Sequence, residues 1–508
     1  MVLRAVIFVS GAGLLAFEMV GLRIAAIYFG SGAYVVGNVI AAFLAAMTVG
    51  YWLGGLIADR APRPAVLGLF LLGGGLLMAV IPPVYGPLLE RLAWGTAFDP
   101  RLSSLLGSAI LFGVPSALLA TASPFAIRLA ARSLTGVGNI SGQMFAISTA
   151  GSIAGLLITS WYLIPLLGLD MLLWVTAGAM LLVGLVCLAL EPVYRRALTP
   201  AVAALILVIA GPALATTERG SESINIGEVI YQKDTQYHRI SVYDWVGYRY
   251  LRFDRSLQSG MVKADPFKSA FAYTDYVFLA WTYKPDIKSV LMLGLGGATV
   301  AKQIHHFFPQ AQIDIAEIDP DVVDVAKRFF SFKEDERMKV TVGDARQFLV
   351  RNADKKYDLI IQDAYFADAL PFHLATQEFF EVVKGRLNPG GVFFNNIVSA
   401  LKGERSKIFR SIYKTMQTVF GRVEVYPVFN QWYGDEARNN LEVLSINGTE
   451  ALPAKETRLS RARQTAKTAD LDILPQLADG LYADRIPTDD IPMLTDKYAP
   501  TDALIHLW

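Results

Sequence analysis

Cysteine is almost missing from this chain of 508 residues: Cys187 is the only one, and it lies in an apolar run. That excludes an intramolecular disulfide and a cysteine metal cluster. Lysine is missing until Lys233 and is common afterwards. Charge of either sign is scarce, at 18% of residues, and the net charge of +1 gives no reason to expect a nucleic-acid partner. What is present is apolar: 53% of residues, with a mean hydropathy of +0.39. That is too apolar for one soluble protein of this size, and the chain is long enough for two or more domains. The boundary between two solvents falls near residue 217.

Before that boundary, seven apolar stretches approach the roughly 20 residues that a membrane helix needs. They cover residues 6–29, 33–57, 65–85, 105–127, 140–164, 171–190 and 201–215. Glycine and proline are frequent inside them, as membrane helices tolerate. Glu18 and Arg23 interrupt the first, so it is not a cleaved signal, and both are expected to face the bundle interior as a structural pair. Gly11, Gly13, Gly21, Gly50, Gly54, Gly55, Gly151 and Gly155 predict close helix packing. Arginines fall mainly in alternate loops on the side of Arg4, which places the N-terminus in the cytoplasm. Seven spans would then put the rest of the chain outside. The run 201–215, shortest and broken by Pro212, is the one to doubt, and a cytoplasmic second half is the expectation.

After the boundary, residues 229–260 alternate polar and apolar and predict antiparallel hairpins. Residues 269–281 predict a helix. Then comes a strand at 290–293, the turn Gly294-Leu295-Gly296-Gly297, a helix to 308, and a strand ending in Glu317-Ile318-Asp319. A glycine turn lets backbone approach a ligand, and an acid about 20 residues on can hold ribose hydroxyls. Further strands end at Asp344 and Asp363. Strands alternating with helices predict a mostly parallel, doubly wound sheet, with ligands at the strand carboxyl ends. Gly294, Glu317, Asp344 and Asp363 each sit at one. Residues 460–467 read as a charged surface segment or linker. The expected plan is a helical transmembrane domain (1–217), a small β-hairpin domain (218–262), a Rossmann-type catalytic domain (263–450) and a docking C-terminal extension (451–508).

The stretches TQYHRI, LQSG, VLMLGLGGAT, EIDPDVV, VGDARQFL, YDLIIQDAY and LNPGGV resemble the spermidine synthase (polyamine aminopropyltransferase) family. That family has the class I AdoMet-dependent methyltransferase fold. FVSGAGLLAFEMVGLR, GGLIADR and LTDKYAP resemble its membrane-fused branch. The resemblance implies a transferase with decarboxylated AdoMet or AdoMet as donor, a small amine as acceptor and no metal, in the membrane and as a homodimer. It implies Asp363 as catalytic base. Gln258, Gly294, Gly296, Gly297, Glu317, Asp344 and Ala345 would hold the donor. Tyr237, His238, Tyr273, Asp275, Tyr365 and Asp368 would lie near the acceptor.

Departures from the family are equally specific. Gly297 stands where the family has an aspartate for the donor's ammonium, and Phe366 where it has a second acid for a diamine. Asp368 is a substitute acid close by. Losing the loop acid makes intact AdoMet more acceptable. Two other readings therefore stay open beside aminopropyl transfer. One is a different AdoMet-dependent reaction such as methyl transfer, and the other is a polyamine or nucleoside transporter or sensor.

Overall fold

The structure, a computed structural model, describes residues 2–505 except 30–32, 95–98, 132–135, 194–226, 366–369, 429–433 and 450. The chain divides into two compact units, one of Met1–Glu222 with Lys233–Arg239, the other of Ser223–Gln232 with Ile240–Trp508. The candidate span at 201–215 lies outside the described residues.

The first unit is built of helices α1 (Val2–Phe29), α2 (Ala33–Arg60), α3 (Pro64–Trp94), α4 (Pro100–Ala120), α5 (Ala122–Ala130), α6 (Val137–Ile158) and α7 (Ile164–Ala189). Six described helical segments are long and apolar enough to cross a membrane, with α4 and α5 forming one of them. Phe17 of α1 is fully buried against Phe43 of α2 and Phe112 of α4, at ring distances of 5.4 and 5.5 Å. Glycine sets the α1–α6 approach as expected. A Cβ on Gly151 would stand 2.1 Å from the Phe8 carbonyl oxygen, and one on Gly155 2.2 Å from that of Ala12. Arg23 donates to the carbonyls of Tyr237 and Thr235.

The second unit holds two sheets. β1 (Glu228–Asp234), β2 (Arg239–Trp245), β3 (Tyr248–Phe253), β4 (Ser256–Val262) and β5 (Asp265–Ser269) form a five-stranded sheet in that order, its first strand shared with the helical unit. The expected helix at 269–281 is thus shorter: β5 takes its first residue, and helical turns follow from Tyr273. The larger sheet comprises β6 (Ser289–Leu293), β7 (Gln312–Glu317), β8 (Met338–Val342), β9 (Tyr357–Gln362), β10 (Leu387–Ser399), β11 (Val423–Pro427) and β12 (Asn439–Ile446). Its order is β11-β12-β10-β9-β6-β7-β8, parallel from β10 to β8 and antiparallel where β12 joins β10 and β11. β9 is buried along its whole length. That is why its sequence YDLIIQ is apolar without alternation: helices cover both faces of a parallel sheet.

Two segments differ from expectation or refine it. Residues 460–467 are no linker but part of a helix, Lys455–Ala469. Its buried face is small and weakly apolar, carried by Ala462, Ala466 and Ala469, while Arg461 caps the carbonyls of Thr282 and Tyr283. The C-terminal extension docks: Asp496 receives Arg346 at 2.6 Å and the Thr376 hydroxyl at 2.7 Å, and Leu494 is fully buried.

Candidate functional site

Four strand ends converge at the carboxyl edge of the parallel sheet. β6 ends at Leu293 and turns through Gly294, whose φ of +98° only glycine adopts without strain. A Cβ there would meet the Asp363 carbonyl oxygen at 2.4 Å, so the glycine also lets the β6 and β9 ends close on each other. The Gly294 amide donates to Ala316 and the Asp363 amide to Leu293, which ties β6 to the ends of β7 and β9.

Glu317 closes β7. Its carboxylate accepts the backbone amides of Leu295 and Asp319, each at 2.9 Å. Burial pushes this carboxyl up to about 7, although both amides pull against it. A carboxylate so placed braces the glycine turn and keeps lone pairs for two hydroxyls, so it fits the ribose of a nucleoside. Asp344 follows β8. It caps the helix Ala345–Arg351 by accepting the Gln347 amide and pairs with His373 at 2.8 Å. The His373 bond, above all, holds its carboxyl below the usual range. Ala345 is buried behind it.

Asp363 follows β9. The Tyr273 hydroxyl donates to its Oδ2 at 3.0 Å and Asn396 Nδ2 to its Oδ1 at 2.8 Å. Asn440 in turn donates to Asn396 Oδ1 at 2.8 Å, so the amide that faces Asp363 is fixed. Burial raises the Asp363 carboxyl above the ordinary range, against the two donors. Tyr365 is strapped to β10: its hydroxyl donates to Asn396 O and accepts from Val398 N. Asp363, Tyr273, Tyr365, Asn396 and Gln258 line one cavity of about 790 Å³, together with Arg255 and Arg438. The arrangement can hold an amine at a carboxylate and take its proton.

Not every sequence candidate reaches this cavity. Asp275 does not line it; burial lifts its carboxyl to about 6. Tyr237 and His238 count with the helical unit, where the Tyr237 carbonyl receives Arg23 and His238 is buried. Phe366 and Asp368 lie outside the described residues. Gly297 has a packing role that sequence does not reveal: a Cβ would stand 2.9 Å from Ser259 Cβ and 3.0 Å from the Phe330 ring. Its amide donates to Ser259 Oγ at 2.8 Å.

Sequence reasoning passed over Asn396, Asn440, Arg255, Arg438 and Glu442. Two asparagines inside the apolar run VFFNNIV were the available signal for Asn396. Glu442 of β12 is opposite Asn396 in register, fully buried, with no hydrogen-bond partner for either oxygen. Burial, and then the nearby Asp363, push its carboxyl far upward.

A doubly wound sheet thus presents a glycine turn and, at its strand ends, Glu317, Asp344 and Asp363, the last lining a cavity of about 790 Å³. The chain matches the spermine/spermidine synthase domain over residues 271–436, and this likeness supports a transferase enzyme. It is 28% identical over 292 residues to a polyamine aminopropyltransferase of Vibrio vulnificus, spanning 56% of this chain and 93% of that one. It is 33% identical over 143 residues to an eEF1A lysine and N-terminal methyltransferase of Xenopus laevis, spanning 26% of this chain but only 21% of that one. Among solved structures, a probable spermidine synthase from Corynebacterium glutamicum aligns with a TM-score of 0.40 and 20% identity, covering 53% of this chain and 99% of that chain.

Proposed function

We propose that the protein is a membrane-integrated spermidine-synthase-like transferase that moves an aminopropyl group from decarboxylated AdoMet to an amine. The observation that carries this reading is Asp363, a carboxylate with a raised pKa, aligned by Tyr273 and Asn396 beside the glycine turn. The donor supplies a carbon activated by its sulfonium. Glu317 holds the ribose, Asp344 with Ala345 borders the base, and Gln258 lies on the donor side of the cavity. An ammonium cannot attack, so Asp363 first takes a proton from it. The freed nitrogen lone pair then forms the new N–C bond. The C–S bond breaks with its electron pair on sulfur, which leaves neutral methylthioadenosine. The lipid bilayer, a small amine and a second copy of the chain are the partners in this reading. Methyl transfer is the second reading. Gly297, with no acid for the donor's ammonium, and the likeness to an eEF1A methyltransferase favour it.

The nucleoside part is tested by calorimetric titration of the full-length protein with methylthioadenosine. Binding is expected, and Glu317→Ala should weaken it about 10- to 100-fold, the range of a hydrogen bond to a charged group. Equal affinity in both proteins would remove Glu317 from the ribose site.

Six crossings, with 201–215 not among them, would resolve the conflict over sidedness. With the N-terminus in the cytoplasm, a sixth helix ending at Ala189 returns the chain to the side of Arg60, Arg63, Arg128 and Arg195. The transferase domain then faces the cytoplasm, where AdoMet-type donors are made. A single cysteine at exposed Ser460, in a Cys187→Ala background, should resist membrane-impermeant maleimide in intact cells and react after lysis. Labelling in intact cells would place the domain outside.

A further inference from the structure

We propose that Asp496, in the C-terminal LTDKYAP segment, is a positioning residue that orients Asp344 so that the nucleoside site selects adenine. The inference rests on the reading of Asp344 as the residue that borders the base, and it goes further by giving a task to a segment far along the chain. Asp344 has two oxygens to place. Oδ1 accepts the Gln347 amide at 2.9 Å, and Oδ2 meets His373 Nε2 at 2.8 Å. A carboxylate only accepts, so His373 carries a proton on Nε2. Each carboxylate oxygen keeps a second lone pair, and the side chain is still 26% exposed. It can therefore also accept the exocyclic amine of adenine. The 6-carbonyl of hypoxanthine would face it with oxygen against oxygen.

Such a choice needs the carboxylate in one orientation, which its neighbours must hold. His373 sits in the short helical turn Phe372–Leu374, and Arg346 Nη1 donates to its carbonyl at 3.3 Å. Arg346 is also the second residue of the helix Ala345–Arg351, which Asp344 caps. One guanidinium thus ties together both members of the Asp344–His373 pair. Asp496 fixes that guanidinium with a two-pronged contact, Nη1 to Oδ1 at 2.7 Å and Nη2 to Oδ2 at 2.6 Å. A fork of this kind sets direction as well as distance. Asp496 is itself held. It accepts the Thr376 hydroxyl at 2.7 Å, its amide donates to Glu378 at 2.9 Å, and Leu494 beside it is fully buried. The Arg346–Asp496 pair is partly exposed, so it adds little to stability and acts mainly through geometry. The route runs from Asp496 through Arg346 and His373 to Asp344.

Calorimetry on the full-length protein tests this with methylthioadenosine and its 6-oxo analogue, methylthioinosine. The wild type is expected to bind the adenine nucleoside about 10-fold tighter or more, the range of one hydrogen bond to a charged group. Asp496→Asn keeps the shape but removes the charge and half the fork. It should lower that preference about threefold or more, the scale of a coupling carried through intervening side chains. The loss should come from weaker binding of methylthioadenosine, with methylthioinosine unchanged. A generally loosened site would weaken both nucleosides, and a smaller folded fraction would leave the ratio of affinities as it was. In a His373→Ala background the same substitution should change nothing further, because the route is already cut. Arg346→Lys keeps the charge and loses the fork, so it should reproduce the loss and serves in place of an Asp496 variant that fails to fold. A preference that survives Asp496→Asn would overturn the inference, as would an equal loss with and without His373. Equal binding of both nucleosides by the wild type would remove Asp344 from the base and the inference with it, and binding of neither would sink the nucleoside reading itself.

Discussion

Asp363→Asn is expected to lower turnover about 10²- to 10⁴-fold, the range of a positioned general base, and to leave methylthioadenosine affinity within about threefold of wild type. The substitution keeps shape and removes the proton acceptor. Tyr273 and Asn396 both donate to Asp363, so the asparagine turns its own amide hydrogens towards at least one donor. That mismatch costs about 1 kcal/mol, too little to unfold the domain. The pH profile carries the same signature. Because burial raises the carboxyl, Asp363 becomes protonated at a higher pH than an ordinary aspartate. The rate of the wild type should therefore fall as pH drops through a value above the usual carboxylate range of about 3.9. Steady-state rates from pH 4 to 9 would show it. A variant that turns over at near wild-type rate would mean that another group takes the proton.

Arg239→Met is expected to produce the largest loss of stability, about 3–5 kcal/mol. Arg239 and Asp234 form a two-pronged pair, Nε to Oδ1 at 2.7 Å and Nη2 to Oδ2 at 3.1 Å. Their side chains are only 11% and 9% exposed. Asp234 also accepts the Leu169 amide at the kink of α7, where Gly168 has a φ of +71°. Burial alone would push the Asp234 carboxyl up, but the Arg239 charge and hydrogen bonds outweigh it and the net shift is downward. A depressed carboxyl stabilises above its unfolded pKa of about 3.9 and loses that contribution only as pH falls further. The deficit of the methionine variant should therefore be undiminished at pH 7. Adding Asp234→Ala should recover part of it, because a buried carboxylate that has lost its main partner is then gone. Thermal unfolding in detergent measures both steps. A single variant as stable as wild type would show that the pair contributes nothing to the bundle end.

The parallel strands β6 to β9 were legible because each is a short apolar run followed or closed by glycine or an acid. Glu317, Asp344 and Asp363 stand at the ends of β7, β8 and β9 for that reason. Residues brought in from antiparallel neighbours were not legible. Asn440 and Glu442 act beside Asp363 only because β12 inserts next to β10, and nothing in the local pattern announces that pairing. Arg255 and Arg438 lie far apart in sequence and meet only across the cavity. The helix Lys455–Ala469 escaped because alanine provides its buried face, so its sequence looks merely charged. Gly297 was read as a missing acid. Its neighbours Ser259 and Phe330 add a steric reason for glycine that no single sequence could supply.

The central claim is transfer of the donor's amine-bearing chain, and the nucleoside that remains reports it directly. Full-length protein should be incubated with each sulfonium donor and a mixture of candidate amines, and the nucleoside product identified by mass spectrometry. The account predicts methylthioadenosine, released in a one-to-one ratio with the alkylated amine and abolished by Asp363→Asn. Release of S-adenosylhomocysteine with a methylated product would contradict it.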